Sequence, residues 1–396
     1  QRQMCIRDRS NDGKAISPVL SWQDTRASQQ VSKLSEFEEL IQHLSGLPLS
    51  AHYGASKLHY LLDEAKNDNR CIENIRLSPL ISYLLYHLLD QQSYIVDHTN
   101  AQRTQLFSIS EMRWSTRLIE LFDVPQPSLP ECVPVLNNTD NAHGKLAGTD
   151  IPVRAICGDQ NAAFFGTGHM SQETALVNLG SGAFVLRLLS HYRASEKQLC
   201  TIACSQNSSV QYVREATING AGSALSWIAK KHNVADIREQ LPAWLDEVDS
   251  PPVFINTIGG LASPWWNEKL EAEFILLSTD NSIATQNLPS QAVAVIESIV
   301  FMICANLEIM HDEQKLDRLR VCGGLSQIDG LCQRLANLSS LPVERVTTSE
   351  ATARGIAWLA AGRPRNWSHI DLEMFEPANA PGLSQRYALF NDTLQQ

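Results

Sequence analysis

The sequence predicts an α/β fold with two domains, and three observations support this prediction. At 396 residues the chain exceeds the usual size of one domain, about 100–200 residues, so we expect two domains or one large one. Hydrophobic residues make up 43% and charged residues 19%, which is typical of a protein with a packed core. From residue 153 to residue 362 the chain repeats an apolar strand, a small-residue turn and a helix, which is the order of an α/β fold.

Charge and hydropathy exclude several classes of function. A net charge of −11 argues against a generally basic surface, so we expect no nucleic-acid partner. The most apolar stretch, residues 292–310, contains Glu297, Asn306 and Glu308, so we expect a buried helix and no membrane span. The nine cysteines are scattered without zinc spacing, which favours reduced thiols and a cytoplasmic location.

The first 150 residues predict more helix than strand. Residues 1–9 show neither periodicity nor a helix cap, and we expect them not to be native sequence; a short disordered tail is the alternative. A turn signal at residues 12–14 follows, and then an apolar run. We expect three helices, over residues 27–41, 56–66 and 80–89. Residues 124–148 are rich in Pro, Asn and Gly and predict a long surface excursion.

The rest of the chain predicts strands that end at small residues. We expect a β-hairpin over residues 174–189 with its turn at Gly180-Ser181-Gly182, a long buried helix over 290–311 and a closing helix over 383–394. The other predicted strands, each followed by a turn and a helix, cover residues 153–157, 212–216, 319–322 and 342–346.

The segment Gly158-Asp159-Gln160 lies between a predicted buried strand and a helix. A carboxylate in this place is often only a helix N-cap. It can also be a general base, because a carboxylate at a strand end can accept a hydroxyl proton during phosphoryl transfer. The amide of Gln160 would then orient a neighbouring hydroxyl.

Small-residue turns at Gly180-Ser181-Gly182, Gly222 and Gly323-Gly324 each follow a predicted strand. Glycines are what tight turns require, so a purely structural interpretation stands for each. Backbone N–H groups in such turns can also approach a phosphate closely, because no Cβ intervenes. Together the turns favour a phosphate-binding role.

Two aromatic side chains are weaker candidates. Trp22 follows an apolar run and could stack on a ligand, or it could be a core tryptophan above a surface pair of Asp24 and Arg26. His98 is either a ligand contact or a structural histidine. The sequence contains no phosphate-binding GxxxxGK[ST] loop, no HExxH helix and no GxGxxG after a strand.

Taken in order, these and further segments resemble the FGGY carbohydrate kinases, which include glycerol, xylulose and gluconate kinases. The resemblance covers residues 14 to 362. The segments that carry it are WQDTR (22–26), DHTNAQRT (97–104), GDQNA (158–162), LGSGAF (179–184), NGAG (219–222), GLASPWW (260–266), CGG (322–324) and EATARG (350–355).

The resemblance implies two actin-like (ribonuclease H-like) α/β domains around an interdomain cleft, with residues 1–171 on the substrate side and 172–396 on the nucleotide side. It implies ATP-dependent phosphorylation of a sugar, sugar acid or polyol with Mg²⁺, and it leaves a homodimer open. Asp159 would be the catalytic base, while the metal ligands stay unassigned. The substrate residues would be Trp22, His98, Gln160 and Phe184, and the ATP residues Gly180, Ser181, Gly222, Gly323 and Gly324.

Two departures from the family pattern leave alternatives open. The Asp-x-Gly-Thr/Ser turn with which such kinases begin is missing, so we expect an N-terminally incomplete first domain and an inactive chain. His98 stands where glycerol kinases usually carry Tyr, which weakens glycerol as the substrate. The alternatives are a non-catalytic sugar- or nucleotide-binding protein, an actin-like ATPase with a protein partner, and a glycerol kinase specifically.

Overall fold

The computed structural model describes residues 5–21, 24–139, 142–267, 270–276, 287–347, 350–367 and 370–395. The chain divides into two units. The first comprises residues 1–166, 189–213 and 350–368, and the second comprises residues 167–188, 214–349 and 369–396. The family domains over residues 1–171 and 172–396 stay a prediction.

Strands and helices alternate through most of the described chain. The strands are β1 (Ile6–Ser10), β2 (Ile75–Pro79), β3 (Ile95–Asp97), β4 (Phe107–Ser108), β5 (Arg113–Trp114), β6 (Glu131–Val133), β7 (Thr174–Leu179), β8 (Ala183–Leu189), β9 (Leu199–Gln206), β10 (Ser209–Ile218), β11 (Val253–Ile255), β12 (Glu273–Ile275), β13 (Arg318–Cys322), β14 (Val343–Val346) and β15 (Leu372–Phe375). The helices are α1 (Ser28–Ser32), α2 (Glu38–Ser45), α3 (Gly54–Asn67), α4 (Leu80–Leu88), α5 (His98–Gln102), α6 (Thr116–Leu121), α7 (Asp159–Gly166), α8 (Gly222–Lys231), α9 (Leu241–Glu247), α10 (Leu288–Glu313), α11 (Asp329–Ser339), α12 (Ala351–Ala360) and α13 (Pro381–Leu394).

In the first unit, β1 pairs antiparallel with β2, and α3 packs its apolar face beside them. The alternative of a short disordered tail is therefore wrong for residues 6–9, while the expectation that residues 1–9 are not native sequence stays a prediction. Ile6 is buried in the core, and the Arg9 guanidinium lies 3.9 Å from the ring centroid of Tyr86 and 4.4 Å from that of Tyr94. The predicted turn at residues 12–14 is confirmed, since Ser10 N–H donates to the Lys14 carbonyl at 2.9 Å.

Two other predictions for the first unit are corrected. Residues 27–41 form α1, a 3₁₀ turn and the start of α2; the single predicted helix is not formed, and α1 has no buried residue to fix it on the core. Within residues 153–157, which were predicted as a strand, Ala155 alone makes an isolated bridge, to Leu136 in a loop, so no ladder develops. Within the supposed surface excursion, β6 pairs with β3, and Leu136 is fully buried.

The second unit contains a sheet in the order β15-β14-β13-β7-β8-β10. β7 runs parallel to β13, β13 runs parallel to β14, and β7 forms the predicted antiparallel hairpin with β8. The predicted long helix is confirmed as α10. It is long and apolar enough to cross a membrane, but 83% of its most apolar window is buried inside the protein. Its composition therefore reflects burial in the core of this unit.

Candidate functional site

Helix α7 begins at Asp159, and a buried hydrogen bond fixes its start. The Gly158 N–H donates to the Thr99 Oγ1 at 2.9 Å. The Thr99 hydroxyl in turn donates to the Asp97 carboxylate. The Asp159 side chain is half-buried, and its Oδ1 accepts the N–H of Gln160 at 2.8 Å. The carboxylate therefore sits at a helix N-terminus, where a negative charge is stabilised.

Asp97 is the fully buried N-cap of α5. Its carboxylate accepts the N–H of Thr99 at 3.0 Å and the Nδ2 of Asn100 at 2.6 Å. Burial raises the pKa of Asp97 to about 6, and the hydrogen bonds from Thr99 and Asn100 act in the opposite direction. A buried carboxylate with this many donors holds the start of α5 in one arrangement.

His98 begins α5 and is 8% exposed. Its Nδ1 lies 2.9 Å from the Ser205 Oγ, which also accepts the N–H of Val135 at 3.0 Å. Its ring centroid lies 5.4 Å from that of Phe107. Burial lowers the pKa of His98 to about 4, so the ring is neutral at physiological pH. These contacts support the structural interpretation of His98, and its contact with substrate stays a prediction.

In the second unit, the turn at Gly180-Ser181-Gly182 joins β7 to β8 as predicted. The start of α8 packs against it, because Gly222 N–H donates to the Gly180 carbonyl at 3.0 Å and Ser223 N–H to the Ser181 carbonyl at 2.9 Å. A Cβ on Gly222 would lie 2.8 Å from the Gly180 oxygen. Gly222 therefore allows two backbone segments to approach closely, and its own N–H is used within the fold.

The Gly323-Gly324 turn follows β13, next to the end of β7. Gly323 has a φ of +94°, and a Cβ there would lie 2.4 Å from the Leu179 carbonyl oxygen. A Cβ on Gly324 would meet nothing within 4 Å, so this position faces open space. Because β7 and β13 are parallel neighbours, their turns share the carboxyl edge of the sheet, where α/β folds bind ligands. The structure thus brings the predicted ATP residues together.

The other predicted substrate residues lie in different places. Phe184 is half-buried on β8 opposite Asn178, in the second unit, whereas Gln160 is half-buried on α7 in the first. Trp22 lies outside the described residues. Further along the chain, Arg26 and Asp24 form the local pair that the sequence suggested, with an Arg26 Nη2 to Asp24 Oδ2 distance of 2.8 Å.

Sequence reasoning missed a further segment, residues 256–260, which makes hydrogen bonds with the residues just before Gly222. Asn219 Nδ2 donates to the Gly259 carbonyl at 2.8 Å, and Asn256 Nδ2 donates to the Gly220 carbonyl at 2.8 Å. A Cβ on Gly220 would lie 2.4 Å from the Asn256 Oδ1. The segment NTIGG at residues 256–260 follows β11 and has the same small-residue pattern as the predicted turns, so a signal was present.

The glycine turns fit a nucleotide, because Gly323, Gly324 and Ser181 are exposed and the open space at Gly324 leaves room for a phosphate. Among the described residues, no group of three or more His, Cys, Asp and Glu could hold a metal ion by itself. A Mg²⁺ ion is commonly held by one or two carboxylates together with substrate phosphates, so the metal ligands stay unassigned.

Comparison with known proteins identifies similar sequences along nearly the whole chain. A family model described as "FGGY family of carbohydrate kinases, N-terminal domain" matches residues 2–166, and the corresponding C-terminal model matches residues 175–362. A glycerol kinase of Trichodesmium erythraeum is 28% identical, covering 100% of this chain and 82% of the relative. One from Geobacter sp. is 30% identical, covering 91% of this chain and 74% of the relative.

Among solved structures, the glycerol kinase of Plasmodium falciparum with ADP superposes with a TM-score of 0.85 at 20% identity. The match covers 100% of this chain and 82% of that one. At this identity the likeness shows the fold, which is the two-domain actin-like α/β fold that the sequence predicted.

Proposed function

Because this chain belongs to the FGGY family of carbohydrate kinases, we propose that it phosphorylates a hydroxyl of a sugar, sugar acid or polyol with Asp159 as the general base. As a kinase it uses ATP and a small-molecule acceptor. The observation that carries the proposal is the half-buried Asp159 at the first residue of α7, in a chain matched by both family domains.

The position of Asp159 supports this role. The backbone N–H of Gln160 and the N-terminus of α7 stabilise a negative charge on its carboxylate, which is the form that can accept a proton. As the acceptor hydroxyl attacks, its proton passes to Asp159, while the side-chain amide of Gln160 orients the hydroxyl. General-base assistance of this kind contributes about 10²–10⁴ in rate.

The glycine turns of the second unit would hold the nucleotide. ATP supplies the γ-phosphoryl group, and Mg²⁺ would accompany its phosphates. The backbone at Gly323-Gly324 and the Gly180-Ser181 turn would face the phosphates, and Gly222 would keep the start of α8 against that turn. Amide donors fixed by the fold need no reorganisation during the reaction, which favours transfer.

A glycerol kinase is the second candidate, and one observation favours it: the relatives described above are glycerol kinases. His98, which stands where such enzymes usually have Tyr, argues in the other direction. Trp22, His98, Gln160 and Phe184 as substrate contacts belong to the proposal. The proposal also includes a cytoplasmic location, a homodimer, and the lack of nucleic-acid and membrane partners. The net charge of −11 supports the exclusion of a nucleic-acid partner.

An acceptor panel tests the proposal. The chain of residues 1–396, and a form extended at its N-terminus by the family's Asp-x-Gly-Thr/Ser segment, would be assayed for ADP release with glycerol, ketoses, aldoses and aldonates. We expect one class to raise ADP release well above the rate with ATP alone in at least one of the two forms, and that active form serves as the parent in every kinetic test below. If no acceptor does so in either form while ATP still binds, the protein is a non-catalytic member of the family and the proposal is wrong.

A further inference from the structure

We propose that Thr99 is a positioning residue for catalysis, because its hydroxyl fixes the first residue of α7 and therefore the direction of the Asp159 carboxylate. This inference rests on the proposed function of Asp159. Thr99 lies on α5, whereas Asp159 begins α7, and the hydrogen bond between Thr99 and Gly158 joins residues 59 positions apart.

The Thr99 hydroxyl has two defined partners. It accepts the Gly158 N–H at 2.9 Å and donates its own hydrogen to the Asp97 carboxylate. A hydroxyl has one hydrogen to donate, so the bond to Asp97 sets its rotation and leaves its lone pairs directed at Gly158. Thr99 is 2% exposed and Asp97 is fully buried, so water does not replace either bond.

The same carboxylate organises two short helices. Asp97 caps α5, which begins with His98, and through Thr99 it also holds the residue before Asp159. The Thr99 hydroxyl is thus the link between the two helix starts that carry predicted substrate and catalytic residues. Without it, the buried Gly158 N–H would have to turn away to find another acceptor.

Such a turn of the backbone would move the adjacent Asp159. A misplacement of about 1 Å at a reacting group can lower the rate about 10²-fold. The nucleotide turns lie in the second unit and make no use of this bond. Loss of the hydroxyl should therefore lower kcat while leaving the KM for ATP nearly unchanged.

Three single variants test the inference. Thr99→Val keeps the shape and removes the hydroxyl, Thr99→Ser keeps the hydroxyl, and Thr104→Val is the matched control. Thr104 is equally buried and lies just beyond the other end of α5. Its hydroxyl also has two partners: it donates to the Ala101 carbonyl at 2.6 Å and accepts the Leu106 N–H at 3.1 Å.

We expect kcat to fall about 10- to 100-fold in Thr99→Val, with the KM for ATP within about twofold. Thr99→Ser and Thr104→Val should keep kcat within about threefold. If Thr99→Val does not fold, Thr99→Ala replaces it in the same comparison. A kcat within twofold of the parent without the hydroxyl, or an equal loss in Thr99→Ser, would overturn the inference.

A double variant separates positioning from general damage to the fold. Once Asp159→Asn has removed the base, adding Thr99→Val should lower the residual kcat less than about twofold, because the hydroxyl acts through Asp159. A further tenfold loss would overturn the positioning role and leave the base in place. Near-normal turnover in Asp159→Asn alone would instead refute the proposed function, whatever Thr99 does.

Discussion

Substitution of Gly323 by alanine should damage the turn proposed to bind the nucleotide, whereas the same change at its neighbour Gly324 should leave the fold intact. Gly323 has φ +94° and ψ 171°, a backbone conformation that is essentially restricted to glycine. Its missing Cβ would lie 2.4 Å from the Leu179 carbonyl oxygen and 2.8 Å from the Asn178 Oδ1. Both contacts involve the end of β7, the strand that leads into the Gly180-Ser181-Gly182 turn.

The structure sets the size of the effect. Backbone strain at such a position costs on the order of 1–3 kcal/mol. The clash adds about 1–3 kcal/mol, because the Leu179 backbone oxygen cannot rotate away as a flexible side chain could. We therefore expect Gly323→Ala to lower the free energy of unfolding by about 2–6 kcal/mol. At Gly324 a Cβ meets nothing within 4 Å, so the change there should be within about 0.5 kcal/mol.

The assay pairs unfolding with nucleotide binding. Thermal unfolding of the two variants should show a midpoint lower by roughly 5–20 °C for Gly323→Ala and an unchanged midpoint for Gly324→Ala. Calorimetric titration with ADP should show weaker binding for both variants. Gly323→Ala should weaken it by distorting the turn, and Gly324→Ala because the new methyl group would enter the space proposed for a phosphate. Equal midpoints for Gly323→Ala and the parent would refute the reasoning about this turn, and unchanged ADP affinity in Gly324→Ala would refute the phosphate contact.

Further outcomes follow from single residues. Burial lowers the pKa of His98 to about 4, so the contribution of its neutral ring to stability is present above pH 6.5 and is lost as the pH falls through 4. When the pH is lowered from 7.5 to 4.5, the free energy of unfolding measured in urea should fall by about 2 kcal/mol less in His98→Gln than in the parent. Glu297 is 1% exposed, and its Oε2 lies 2.6 Å from the Arg386 Nε. Arg386→Leu should lower stability by about 3 kcal/mol, measured by urea unfolding, and an unchanged midpoint would contradict this value. A Cβ on Gly355 would lie 1.8 Å from the Ala162 carbonyl oxygen. Gly355→Ala should therefore force α12 away from α7 and lower the midpoint of thermal unfolding. An unaltered midpoint would show that the two helices adjust freely.

The second unit was predictable from the sequence because its signals are local. Apolar runs end at glycines, so the β7–β8 hairpin, β13 and α8 lie where the pattern placed them. The burial of α10 was also readable, because nearly all its faces are apolar. In these elements the glycines that form a turn are also the sequence signal that predicts it.

The first unit was less predictable because its key contacts are distant in sequence. No local pattern shows that Thr99 binds the amide of Gly158, and the apolar run at residues 153–157 gives no strand because its partner is a loop. Residues 6–10 lack a periodic pattern of their own, and pairing with β2 makes them a strand. Long-range pairing decided these elements over local propensity.

The role of Asp159 is the central claim, and Asp159→Asn tests it most directly. The amide keeps the size of the side chain and removes the base. We expect kcat to fall by about 10²–10⁴ with the preferred acceptor, while the Kd for ADP stays within about twofold. The matched control is Asp150→Asn in the same unit, whose side chain is 98% exposed and pairs only with Lys145 among the described residues, and it should keep full activity. Near-normal turnover in Asp159→Asn would contradict the account.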